Sequence, residues 1–217
     1  MNIELVIFDL DGTLLNTIDD LGDSGNYILK KYNFKTHPID TYRYFVGNGI
    51  RKLVERMLPE NKRDEAFIDE VKKEFIAYYD LHKADKTAPY EGITELLATL
   101  QENNIKIAVA SNKIHDVMDE LMQYYFPNIR FNAVFGQRKG VPIKPDPTIV
   151  GDILKKTEVA KEKTLYVGDT SIDMLTAKNA HIKSVGALWG FRTKNELLQA
   201  GAHIIIEHPK ELLAYCW

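Results

Sequence analysis

A chain of 217 residues suits one large domain, or one domain carrying a smaller insert, and its 45% hydrophobic content suffices for a sizeable core. The formal net charge of -3 argues against a general nucleic-acid binder, which is usually basic. The only cysteine, Cys216, excludes an intrachain disulfide and a Cys-rich zinc site; no Lys or Arg precedes Lys30, as a secretory signal needs, and no apolar run approaches the roughly 20 residues of a membrane span, so a cytoplasmic protein is expected.

Along the chain, a strand is expected at about 3–8, where Leu5-Val6-Ile7-Phe8 is an unbroken apolar run that suits burial on both faces of a parallel sheet. Asp9-Leu10-Asp11-Gly12-Thr13 follows directly. Asp-Gly between apolar runs is also a hairpin signal, but Asn16-Thr17-Ile18-Asp19-Asp20 reads as a capped helix start rather than a returning strand. From 17 to 82 apolar residues recur at helical spacing: Ile18, Leu21 and Ile28, then Leu53, Val54 and Met57, then Ile68, Val71, Phe75 and Tyr79. No strand pattern interrupts them.

Alternation begins after Pro89. Helices are predicted at 91–100, 115–125, 147–156, 172–179, 194–200 and 210–214, and strands at 105–110, 133–135, 164–167, 184–186 and 203–206. This order implies an α/β fold: a Rossmann-like, mostly parallel sheet with helices on both faces. The first strand belongs to that set. Residues 1–14 and 84–217 then form an α/β core domain, and 15–83 an inserted all-helical cap domain.

In open α/β sheets, ligands bind beyond the carboxyl ends of the strands. Those ends carry Asp9 and Asp11, Ser111-Asn112, Lys144-Pro145, and Gly168-Asp169-Thr170 with Asp173 on the near face of the next helical turn. Each residue alone has a plainer reading: Ser111, Asn112 and Asp169 as helix caps, Lys144 as a surface lysine, Asp173 as a first-turn acid. Their convergence on one sheet edge favours chemistry. Carboxylate oxygens suit a hard cation such as Mg²⁺, and a lysine and a hydroxyl suit phosphoryl oxygens.

In order and spacing, these four segments resemble the motifs of the haloacid dehalogenase superfamily. The helical insert after the first motif resembles its C1 cap. Tyr90-Glu91-Gly92-Ile93, Ala108 to Lys113 and Pro142 to Pro147 resemble its phosphoglycolate phosphatase-like branch. The resemblance implies an Mg²⁺-dependent phosphatase of small-molecule phosphate monoesters. Asp9 would be the nucleophile that forms an aspartyl-phosphate, and Asp11 the general acid and base. Asp9, Asp169 and the Asp11 carbonyl would hold the metal, with Asp173 assisting. Ser111, Asn112, Lys144 and Thr13 would bind phosphate, and Thr13 would also orient Asp11 or its loop. The superfamily's dehalogenases lack an acid where Asp11 stands. Its phosphonatases use a cap lysine, and Lys30, Lys31, Lys35 and Lys52 leave that chemistry open.

Within the cap, Arg43, Gly47, Asn48, Gly49 and Arg51 are the expected specificity residues: glycines for a tight loop, and an arginine for a substrate carboxylate or second phosphate. Phe75, Tyr78 and Tyr79 read as cap core. Leu188 to Arg192 flank the pocket without an assigned role. The expected partner is a small phosphorylated metabolite, with no nucleic acid or membrane; a monomer is the default and a dimer the alternative. A phosphomutase or pyrophosphatase of the same fold is the nearest competing activity. A phospho-accepting signalling protein or a phosphate-binding protein without turnover is the competitor from another class.

Overall fold

The four apolar residues Leu5–Phe8 form β1, and all four are fully buried. Fully burying a side chain of this kind is worth roughly 1.5–3 kcal/mol, so this short strand outweighs the several kcal/mol that a buried carboxylate at its end costs. A computed structural model describes residues 2–217. After β1 come a two-residue strand β2 (Leu15–Asn16) and helices α1 (Ile18–Lys31), α2 (Ile39–Phe45), α3 (Ile50–Met57) and α4 (Glu65–His82). Then follow β3 (Ala88–Pro89), α5 (Ile93–Glu102), β4 (Lys106–Ile114), α6 (His115–Tyr125), β5 (Ala133–Gln137) and α7 (Thr148–Thr157). The chain continues through β6 (Thr164–Gly168), α8 (Ser171–Ala180), β7 (Lys183–Ala187), α9 (Lys194–Gln199) and β8 (Ile204–Ile206).

The main sheet has six parallel strands in the order β5-β4-β1-β6-β7-β8. β1 lies between β4 and β6, with Leu5 opposite Lys106 on one side and Thr164 on the other. Its side chains alternate between two cores, as the pleat requires. Val6 and Phe8 pack with α5, α6 and Leu212, while Leu5 and Ile7 pack with α7 and α8. The result is an α/β sheet covered on both faces. A third core is formed by α1 to α4, from Ile18, Leu21, Ile28, Tyr42, Leu53, Phe75 and others, and Phe191 joins it from the loop after β7.

Three local features differ from the sequence expectation. β4 runs on to Ile114 through a register shift after Ala110. Ser111 and Asn112 are therefore extended residues rather than helix caps; α6 is preceded by Ile114. The last predicted helix is a 3-10 helix, Pro209–Tyr215. The two passages between sheet and helical insert pair as a ribbon, Leu15 with Pro89 and Asn16 with Ala88. Beside it, buried Asp20 accepts hydrogen bonds from the amides of Lys86 and Thr87 and from Thr87 Oγ1. A ribbon of two residues per strand is too short to leave a periodic pattern.

Candidate active site

The three central strands bring the polar residues together. Asp9 follows β1, and its amide donates to the carbonyl of Val167, extending the parallel ladder by one bond. Asp169 follows β6, and Ser111 lies in β4. Because β4, β1 and β6 are neighbours, residues more than a hundred positions apart share one edge.

Lys144 reaches into this edge from the segment before α7 and is 2% exposed. Its Nζ donates to Asp173 Oδ1 at 2.7 Å, to the Ala110 carbonyl at 3.0 Å and to Tyr166 Oη at 3.1 Å. It also lies 2.9 Å from Asp9 Oδ1. That last contact is an ion pair without hydrogen-bond geometry, and Asp9 Oδ1 accepts no hydrogen bond despite its burial. Burial alone would lower the pKa of Lys144, but the charges of Asp173 and Asp9 more than offset it and hold the ammonium charged.

The carboxylates are the strained partners. Burial, followed by repulsion from Asp173, raises Asp9 from 3.8 to about 7, against the opposing pull of Lys144. Burial and the charges of Asp173 and Asp9 also push Asp169 well up. Asp9, Asp169 and Asp173 each place an oxygen within 4.8 Å of the others. An all-oxygen, acidic, buried set with one carboxylate oxygen lacking a donor fits a hard divalent cation. Such an ion supplies the charge that one lysine cannot.

The remaining predicted residues divide. Thr13 does not orient Asp11: its hydroxyl donates to Asp169 Oδ1 at 2.9 Å, so it fixes a carboxylate of the acidic cluster and is not free for phosphate. Asn112 is spent on backbone, accepting from the Lys144 amide at 2.8 Å and donating to the carbonyls of Lys144 and Gly47. Its side chain is a bracket between β4, the Lys144 segment and the helical insert, and leaves no side-chain donor for phosphate. Ser111 Oγ accepts from the Lys113 amide at 3.2 Å and lines the cavity, with no acceptor for its own proton among the described residues.

Asp11 lines the same cavity as Asp9 and is held by a cation other than Lys144. Its carboxylate is bound by Lys113 Nζ at 3.1 and 3.4 Å, and that ammonium also donates to Tyr79 Oη at 2.8 Å. Lys113 was legible only as part of a motif, and Tyr79 only as a core aromatic of α4. Tyr79 is buried as expected, yet its hydroxyl lies at the site.

Asp9, Asp11, Ser111, Asn112, Lys113 and Lys144 floor a cavity of about 60 Å³. The helical insert roofs it with Leu21, Val46, Gly47, Gly49, Ile50 and Leu53. Gly47 and Gly49 have φ of +118° and +80°, the left-handed region that glycine enters without strain. The expected arginines are elsewhere. Arg51 pairs with Glu65, and Arg43 with Asp40 and the Gly190 carbonyl. Asn48 accepts from Arg56. None of the three lines the cavity, because each finds a partner on its own helical surface or on the 188–192 loop. Lys30, Lys31, Lys35 and Lys52 do not line it either, so no cap lysine is placed for imine chemistry.

The loop after β7, left without a role by the sequence, touches both halves. Trp189 Nε1 donates to the Thr13 carbonyl, and the Phe191 amide donates to Asp169 Oδ2 at 2.7 Å. Arg192 donates to the carbonyls of Arg43 and Val46 in the helical insert. Gly190 is pressed so closely that a Cβ there would overlap Asp169 Cβ and the Gly12 carbonyl oxygen.

Carboxylates and a buried lysine at the carboxyl edge of a parallel sheet, beneath a helical roof, fit a phosphate-handling hydrolase built on a Rossmann-like core. The chain belongs to the haloacid dehalogenase-like hydrolase family, whose profile matches residues 6–187. It is 29% identical over 205 residues to a phosphoglycolate phosphatase of Psychrobacter arcticus, covering 92% of this chain and 89% of that protein. Identity to the phosphoglycolate phosphatase of Agrobacterium fabrum is 32% over 194 residues, 86% of this chain and 81% of that one. The crystal structure of a candidate phosphoglycolate phosphatase from Lactobacillus delbrueckii subsp. bulgaricus matches with a TM-score of 0.94 and 28% identity, covering 100% and 99% of the two chains. The protein is a hydrolase of phosphoric monoesters. Phosphatases of this family use a divalent metal, and the Asp9, Asp169 and Asp173 cluster fits one. No helix among the described residues is long and apolar enough to cross a membrane.

Proposed function

We propose that the protein is an Mg²⁺-dependent phosphatase of small phosphorylated acids, with phosphoglycolate as the first candidate, acting through an aspartyl-phosphate on Asp9. The observation that carries this reading is the pairing of two unequal carboxylates at one cavity. Asp9 is buried beside Lys144 with an oxygen that accepts no hydrogen bond, and Asp11 lines the same cavity, held by Lys113.

An Asp9 oxygen forms a bond to phosphorus as the bond from phosphorus to the leaving oxygen breaks. Asp11 gives its proton to that leaving oxygen, then takes one from the water that displaces Asp9 from phosphorus. Lys144 and the Ser111 hydroxyl bind phosphoryl oxygens, where negative charge is spread in transit. Asp9, Asp169, Asp173 and the Asp11 carbonyl are the proposed metal ligands. A bound Mg²⁺ would offset repulsion between the phosphate and the acidic cluster and orient the phosphate. Thr13 and the Phe191 amide hold Asp169 in place for that task.

Residues 15–83 act as a cap over a core of 1–14 and 84–217, opening on the β2–β3 ribbon to admit substrate. Its mostly apolar roof excludes water when seated. The protein works as a monomer in a reducing, cytoplasmic setting, which its single, buried cysteine suits.

Hydrolysis of phosphoglycolate, pyrophosphate, sugar phosphates, nucleotides and p-nitrophenyl phosphate, each with Mg²⁺ and with chelator, tests the reading. Mg²⁺-dependent phosphate release led by small acidic esters is expected. Release from none by folded protein refutes it, and transfer to a second organic acceptor instead of water would identify a mutase.

A further inference from the structure

We propose that Lys113, held by Tyr79 of the helical insert, is the specificity residue that selects an acid group on the leaving half of the substrate. This rests on the phosphatase reading above. Two cations line the cavity, Lys113 and Lys144. Lys144 is committed to Asp9, Asp173, the Ala110 carbonyl and Tyr166, on the phosphoryl side. The roof is largely aliphatic, from Leu21, Val46, Ile50, Leu53 and Ile76. A carboxylate placed against such a wall without a partner costs several kcal/mol. An acidic substrate group has one cation to meet, and that is Lys113.

The position agrees with the chemistry. The leaving oxygen takes its proton from Asp11, so it lies beside the Asp11 carboxylate. Lys113 Nζ is 3.1 Å from that carboxylate. An acid group one carbon beyond the leaving oxygen therefore falls within reach of the same ammonium. Its donors meet both Asp11 oxygens and Tyr79 Oη, and the 3.4 Å contact to Asp11 Oδ2 is the weakest of the three, the one an incoming acid group would replace. Burial tends to discharge Lys113, but Asp11 and then Tyr79 outweigh it and keep the ammonium charged. The ammonium also stands 4.6 Å from the centroid of the Tyr79 ring, which restricts its sideways movement. Because Lys113 belongs to β4 and Tyr79 to α4, this cation is fixed where the roof meets the floor.

The test compares kcat/KM for phosphoglycolate and isobutyl phosphate, which have similar shape but differ in the carboxylate, with p-nitrophenyl phosphate as a general reporter. In the unaltered protein, phosphoglycolate should be preferred by about 10- to 100-fold, the worth of a charge-assisted hydrogen bond. Lys113→Met should slow all three esters, since Asp11 loses its partner. The preference for phosphoglycolate should nevertheless collapse by about tenfold or more, mainly through KM. Tyr79→Phe should shift the ratio the same way by less, and carries the comparison if Lys113→Met does not fold. An equal fall for phosphoglycolate and isobutyl phosphate would show that Lys113 only seats Asp11, and would overturn the proposal. So would the absence of any preference in the unaltered protein. If the unaltered protein cleaves none of the three esters with Mg²⁺ present, the phosphatase reading itself fails.

Discussion

Asp9→Asn should abolish turnover and, in metal-free protein above neutral pH, make the fold more stable. Asp9 is 5% exposed, and burial with repulsion from Asp173 raises its pKa from 3.8 to about 7. A group whose proton affinity is higher when folded favours the folded state while protonated, and that advantage disappears as pH rises through the folded pKa. At pH 4 Asp9 is neutral in the fold and destabilises little. Above pH 7 its charge is forced into the fold; at about 1.4 kcal/mol per tenfold in proton affinity, the rise corresponds to about 4 kcal/mol. Asparagine keeps the shape and removes the charge. For a chain of this size the gain corresponds to roughly 10 °C in Tm. Thermal unfolding of both proteins in chelator, from pH 4 to pH 8.5, reads it directly. The gap should open between about pH 4 and pH 7, level off above that, and shrink when metal is added, because the ion stabilises the unaltered carboxylate. A variant less stable at pH 8, or a gap independent of pH, would refute this account of the acidic cluster.

Metal affinity should follow the same titration: below about pH 7, where Asp9 protonates, apparent Mn²⁺ affinity by calorimetry should fall about tenfold per pH unit, with proton release on binding. A flat profile would mean that Asp9 is not a ligand. Asp11→Asn should lower kcat on p-nitrophenyl phosphate by about 10²–10⁴ and let phosphorylated protein accumulate, because the aryl leaving group needs little protonation while the water step still needs a base. Intact-mass measurement after rapid quench checks it. Gly190→Ala should cost about 1–3 kcal/mol and weaken metal binding, since the added Cβ displaces Asp169 or the Gly12 carbonyl. Unchanged Tm and unchanged metal affinity would count against that packing.

What the sequence made readable was whatever a strand end or a period encodes locally. Leu5–Phe8 announced a doubly buried strand by being apolar throughout, and the parallel order then placed Asp9, Ser111, Lys144 and Asp169 on one edge. The helical insert was visible from spacing alone. What stayed hidden depends on pairs distant in the chain. Arg51 looked like a substrate ligand because Glu65, in another helix, carries no mark of being its partner, and Arg43 because its bond to the Gly190 carbonyl lies far along the chain, although its pairing with Asp40 is one turn away on the same helix. Thr13 and Asn112 have the right chemistry for phosphate, yet their hydrogen bonds are taken by Asp169 and by backbone. Tyr79 was legible as core from its helical position, but the direction of its hydroxyl depends on Lys113, in another element. The 188–192 loop has no period, and its role lies in contacts to Thr13, Asp169 and Val46.

The central position of β1 has a consequence for how the molecule comes into being. The strand that carries Asp9 is made early, but its neighbours begin only at Lys106 and Thr164. Between them the ribosome delivers the whole helical insert, whose contacts are comparatively short in sequence and quick to form. During synthesis the first strand therefore waits with both edges open beside an already helical neighbour. Parallel pairing over such separations is slow and exposes adhesive strand edges to other chains. A nascent chain stopped before β6 lacks Asp169 and Asp173 and can pair β1 on its β4 side only. The active site is assembled late, and chaperone demand should peak while β1 is still unpaired.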